Sequence, residues 1–150
     1  MDKNQQLIRL CETGRFWTIG FDQLSYAEQV FRAVWELEEQ VNNGGFDQYF
    51  WNSSGDSAHA VVGALESIGA TNAAQIVAAA CGLFRGGSPP RVRAEREARI
   101  DALTDVERAA LDDFDQQFYC YPDDLTALLH EFVTRNAKEI TGAAELGFQL

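Results

Sequence analysis

Side chains that commonly carry chemistry are few and scattered in this chain. His59 and His130 are its only imidazoles, and Cys11, Cys81 and Cys120 its only thiols. There is no H-x-x-x-H and no C-x-x-C, so neither histidine reads as a metal ligand. Nothing local supports a Cys–His nucleophile pair. A G-x-G-x-x-G fingerprint, a Walker phosphate loop and a G-x-S-x-G elbow are all absent. Asn43-Gly44-Gly45 has the backbone freedom to form an anion nest. Yet residues 33–84 hold six acids and no Lys or Arg, a field that repels phosphate. No metal, cofactor or ordinary hydrolase site is expected.

Carboxylate is abundant instead. Asp and Glu number 23 against 12 Lys and Arg, giving a formal net charge of −11. Duplex DNA carries one charge per roughly 1.7 Å of axis, or 3.4 Å along each strand. Carboxylates at i, i+3 or i+4 on a helix stand about 5–6 Å apart at Cβ, so a row of them approximates one phosphate edge. Two rows have that potential. One is Glu28, Glu36 and Glu39, interrupted by Arg32. The other lies in residues 101–124, with eight acids and one base, Arg108. From it Asp105, Asp112 and Asp113 are assigned to the outer, partner-facing surface. An acidic, merely solvated face is the plain alternative. The cluster Arg91, Arg93, Arg96 and Arg99 alternates with Glu95 and Glu97 and reads as a salt-bridged face rather than a nucleic-acid patch.

These groups must be positioned by helices. Alanine occurs 20 times, proline only at 89, 90 and 122, and no segment alternates apolar and polar residues as a strand does. The expected fold is all-α, one domain over 1–150 with about six to eight helices. A first helix is expected over 3–12. Ser25 and Glu28 have capping-box spacing and open a second, with Tyr26, Val30, Val34, Leu37 and Val41 as its core stripe. Arg32 is spaced to pair with both Glu28 and Glu36. That helix should stop at Asn42-Asn43-Gly44-Gly45, where a positive φ is expected. A short turn over Phe46–Trp51 follows, then a helix from Asp56 or Ser57 to Gly69. Thr71 is the expected cap of an Ala-rich helix reaching Phe84. Gly86-Gly87-Ser88-Pro89-Pro90 is a loop within the domain. Residues 91–103 are a charged helix paired as Arg91/Glu95, Arg93/Glu97 and Glu95/Arg99. Thr104 and Glu107 cap a helix to Tyr119, with Val106, Ala110, Phe114 and Phe118 inward. Asp123 or Asp124 caps a last helix, and the apolar residues 146–150 are expected to dock.

Composition limits the function classes. With 46% hydrophobic and 11% aromatic residues the chain has ample core material, which excludes intrinsic disorder. A pI near 4.5 argues against direct nucleic-acid binding and against an anionic membrane. No apolar run approaches the roughly 20 residues of a membrane span. Residues 1–10 lack a signal-peptide core, and three widely spaced cysteines suit a reducing cytoplasm.

The most distinctive run is Glu38-Glu39-Gln40-Val41-Asn42-Asn43-Gly44-Gly45-Phe46-Asp47-Gln48-Tyr49-Phe50-Trp51-Asn52-Ser53-Ser54-Gly55. Physically it is a helix stop, a glycine turn, an aromatic plug and a second stop. Phe46, Tyr49 and Phe50 point one way, while Gln48, Asn52 and Ser53 are placed to satisfy backbone groups. A catalytic loop using Asn42, Asn43, Asp47, Gln48 and Asn52 is the competing reading. This run resembles the N-G-G-F-x-Q-Y-F signature of a bacterial family of small acidic helical proteins, the DNA-mimic protein family. The resemblance covers about residues 25–137 and includes Ala64–Ala70, Arg99 and Asp115-Gln116-Gln117-Phe118-Tyr119. Here Asn43, Gly44, Gly45, Phe46, Gln48, Tyr49, Phe50, Asp115, Phe118 and Tyr119 read as a structural motif, Asp115 through a hydrogen bond. The resemblance implies an all-helical homodimer whose acidic surface covers the DNA-binding face of a transcription regulator.

Three readings follow for the function. The first is a non-enzymatic acidic protein binding a basic protein partner. The second is an immunity or antitoxin-like protein covering a cationic nuclease, and the third an enzyme with a site near Asn42–Asn52. Phe31 and Trp35, with Trp51, are either a second core contact or an apolar patch for self-association.

Overall fold

The computed structural model describes residues 1–150. Seven α-helices occur in the order α1 Lys3–Thr13, α2 Tyr26–Trp51, α3 Val61–Ser67, α4 Thr71–Cys81, α5 Arg93–Asp101, α6 Asp105–Tyr119 and α7 Leu125–Arg135, with no strand. The all-α expectation holds. α2 is the central element; α3, α5, α6 and α7 all pack on it, and α1 packs on α7. One cluster of 35 buried residues draws on every helix. No helix is long and apolar enough to cross a membrane.

Both capping boxes form. Ser25 and Glu28 satisfy each other's backbone amides, as do Thr104 and Glu107. Asp2 and Gln5 add a third at α1, and Asp124 caps α7. Thr71 caps nothing. The start of α4 is held by Asp123, whose carboxylate accepts from the Ala73 amide at 2.7 Å and the Asn72 side chain at 3.1 Å. α4 ends at Cys81 rather than Phe84. The segment Ser53–Ala60 is a 3₁₀-helix, so the expected helix from Asp56 begins only at Val61.

Val30, Val34, Leu37 and Val41 of the expected α2 stripe are buried, but Tyr26 is not and the buried face is wider. Tyr26 is 63% exposed, its hydroxyl sharing a hydrogen bond with Ser67, whereas Ala27, Glu28 and Phe31 are buried. Phe31 therefore belongs to the core, stacked between Phe16 and Trp35. Val106, expected inward on α6, is 79% exposed; Leu111 takes the core position with Phe118. Near the C-terminus Phe148 is buried and Leu150 exposed.

Candidate functional site

The glycine turn is a kink inside α2. Gly44 has an extended φ of −156°, and Gly45 the left-handed φ of 77°. An added Cβ on Gly45 would stand 2.4 Å from an Asp115 oxygen. Asp115 occupies that space because it accepts from the Phe46 amide at 2.8 Å, capping the short helical segment after the kink. From the same helix the Tyr119 hydroxyl donates to the Val41 carbonyl at 2.9 Å. Phe118 packs edge-on against Phe46, with ring centroids 6.0 Å apart. Phe46, Tyr49 and Phe50 are fully buried. The glycine run and the Asp115–Tyr119 run, 70 residues apart in sequence from Gly45 to Asp115, thus meet and fix each other.

Gln48 and Asn52 bind other side chains of the run rather than backbone, and it is Ser54 that donates to a backbone group, the Tyr49 carbonyl, at 2.9 Å. Gln48 donates to Gln40 at 3.0 Å and accepts from Asn43 at 3.2 Å, and Asn52 also donates to Gln40. The backbone after α2 is held from elsewhere. Arg96, expected on a solvated face, is fully buried. Its guanidinium donates to the carbonyls of Phe50, Asn52, Pro90 and Arg91 and to Asp56 at 2.6 Å. Those five bonds use its full complement of five donors. Gly55 is small because a Cβ there would lie 2.5 Å from the Arg96 Nε. The signal for Arg96 was its place with Ile100 and Leu103 on one helical face at i, i+4 and i+7.

Beside the kink lies a cleft of about 590 Å³ lined by Gly44, Asp47, Gln48, Trp51, Asn52, Ile100, Asp101 and Arg108. Arg108 and Asp47 approach to 4.0 Å across it. No His or Cys lines it. The three cysteines are unpaired; burial raises Cys11 to about 11 and Cys81 to about 12, keeping both as thiols at neutral pH. No group of three or more His, Cys, Asp or Glu is arranged to hold a metal ion.

The six carboxylates assigned to partner binding fall in three environments. Glu28 must be withdrawn from the surface, since it is 0% exposed. Arg15 grips it with contacts of 2.6–3.2 Å, and the Ser25 and Thr141 amides donate to it. Burial alone would raise its pKa, but these donors outweigh burial and hold it at about 2. Arg15, not Arg32, is its partner. Arg32 pairs only with Glu36, which is largely occluded and raised by burial despite that pairing. Glu39, Asp105, Asp112 and Asp113 are exposed, Asp113 accepting from Gln117.

Asp105 and Asp112 share one stripe of α6, about 10 Å apart along its axis, close to three strand steps of DNA. Asp47 stands near Asp112 on the α2 side, since both act on Asp115, which burial already raises, but Asp47 is paired with Arg108. In α5 only the Arg93–Glu97 pair forms as expected; Arg91 joins Asp22, and Arg99 joins Glu107. In all, eight acids are in ion pairs, leaving fifteen carboxylates against four cations, Lys3, Arg9, Arg85 and Lys138.

No curated protein and no solved structure matches this chain. A family model described as DMP19-like protein matches residues 22–136, from the turn before α2 to the end of α7, and so takes in the kink, its Asp115 and Tyr119 locks and Arg96. The chain belongs to the DMP19-like protein family.

Proposed function

We propose that this protein is a non-enzymatic DNA mimic whose acidic surface occupies the DNA-binding face of a basic regulatory protein. The observation that carries the reading is the charge left over after internal pairing: fifteen carboxylates against four cations. Family membership supports the same direction. Asp105, Asp112 and Asp113 on α6, with Glu39 on α2, are the proposed phosphate substitutes. Such a field accelerates encounter with a cationic partner and disfavours DNA itself. The proposed unit is a two-fold homodimer, as the family resemblance implies. Light scattering should then give about twice the chain mass of 16.7 kDa.

The test is competition. A DNA-binding protein recovered with this chain should release duplex DNA when the chain is added. The D105N/D112N/D113N variant should lose that effect while keeping its helical content. Simultaneous binding of DNA and this chain by the partner would end the mimic reading.

A further inference from the structure

An open groove of about 250 Å³ runs between α1, α2 and α7. Its floor is apolar, with Ile8 37% exposed and Trp35 and Leu129 beside it. Its rim carries Glu38 and Glu39 and no Lys or Arg. Through Trp35 and Glu39 it continues into a second hollow of about 300 Å³, walled by Cys11 and Trp17. Further carboxylates stand close by: Glu12 beside Cys11, and Asp124 beside Glu38. None of Glu12, Glu38, Glu39 or Asp124 is in an ion pair. The Arg32 guanidinium, over the Trp17 ring beside the second hollow, is already held by Glu36 and the Phe16 carbonyl.

We infer that this groove receives an amphipathic helix of the partner, apolar on the face that enters and bearing Arg or Lys along both flanks. The inference rests on the proposed function, because it names a chemistry for the same basic partner. α1 presents Asn4, Ile8 and Cys11 at i, i+4 and i+7, and α2 presents Trp35, Glu38, Glu39 and Asn42 over the same interval. Seven residues of helix span about 10 Å, or two turns, the length over which i, i+3/i+4 and i+7 anchors seat in a groove. The rim selects the cationic flanks. It also disfavours a second copy of this chain, since a two-fold contact here sets Glu38 and Glu39 against their own equivalents. The homodimer therefore leaves this groove outward.

The probe is a fluorescein-labelled three-turn peptide with Leu and Phe on one helical face and Arg on both flanks. A shuffled peptide of the same composition serves as control. The ordered peptide should bind the full chain at least about tenfold more tightly than the shuffled one. I8K and E38Q/E39Q should each weaken binding by about tenfold, with circular dichroism confirming that both variants fold. Amide shifts on titration should concentrate at Ile8, Trp35 and Leu129. Equal binding of both peptides, indifference to both variants, or shifts confined to α6 would overturn the inference. So would conversion of a dimer to a monomer by I8K, which would give the groove to a second copy. The D105N/D112N/D113N variant separates the two claims. Peptide binding that survives it, with no competition against DNA by either form, leaves the groove standing and removes the mimic. Loss of DNA competition in that variant, with no peptide binding by wild type, does the reverse.

Discussion

Glu28 and Arg96 show how much a single charged residue can contribute when it is buried with all its partners. Each satisfies several backbone groups besides its ion pair, and removing either leaves those groups unsatisfied in the core. Arg96→Met should destabilise the fold by roughly 3–5 kcal/mol in chemical denaturation. Arg96→Lys should recover little of that, because an ammonium cannot direct five planar donors to five fixed acceptors. For Glu28 the loss should depend on pH. Its folded pKa of about 2 lies below the ordinary 4.5, so the ionised form favours the folded state. That contribution, on the order of 3 kcal/mol, is present in full above pH 4.5 and is lost as pH falls towards 2. Burial raises Glu36, Glu38 and Asp115, which oppose this trend in wild type. The clean readout is therefore the stability difference between wild type and Glu28→Gln. It should be largest at neutral pH and shrink between pH 4.5 and 2; a difference that stays flat across that window would refute the role given to Arg15 and the two amides.

At the scale of elements, the kink in α2 is the feature that ties α2 to α6, because it frees the Phe46 amide for Asp115. Gly45→Val should be the most damaging change there. It combines a positive φ with a Cβ pushed into Asp115, and should lower the melting temperature far more than Gly44→Ala. Gly44 has a negative φ, and an added Cβ there would meet only the Gln48 side chain, its movable amide end first and its Cβ at 2.9 Å. Asp115→Ala should cost about 1–2 kcal/mol by uncapping the Phe46 amide; a melt equal to wild type would remove that role. The helices, two capping boxes and the glycine break were legible in sequence because their signals are local. The full width of the buried face of α2 was not. Tyr26, apolar in type, faces solvent, while Ala27, Glu28 and Phe31 are buried beside the valine and leucine stripe. Nor was the cap of α4, supplied by Asp123 from another part of the chain, or the Ser53–Ala60 segment, whose 3₁₀ period escapes a helical template. On the surface, Asp105, Asp112 and Asp113 read correctly as exposed because one amphipathic helix decides it. Glu38 passed unnoticed, since its setting is a groove shared by three helices.

For the whole molecule, the unpaired carboxylates make one prediction that separates folding from binding. Like charges on one surface repel and weaken the compact state, while the same field attracts a cationic partner. Salt screens both effects, over a Debye length of roughly 10 Å at 0.1 M. The two responses should therefore run in opposite directions. Added salt should raise the melting temperature of the free protein and weaken the complex with its partner. Neutralising Asp105, Asp112 and Asp113 to Asn removes part of the repulsion without touching the core, offset in part at Asp105, whose charge the first turn of α6 favours. That variant should melt about 2 °C or more above wild type at low salt, and its advantage should vanish at high salt. Glu28→Gln carries the same change in charge per site but from the buried side, and should melt lower at every salt concentration near neutral pH. Thermal melts of the three proteins across ionic strength decide the matter. If the α6 variant melts below wild type at low salt, those aspartates serve the fold rather than a partner, and the phosphate-like surface loses its basis.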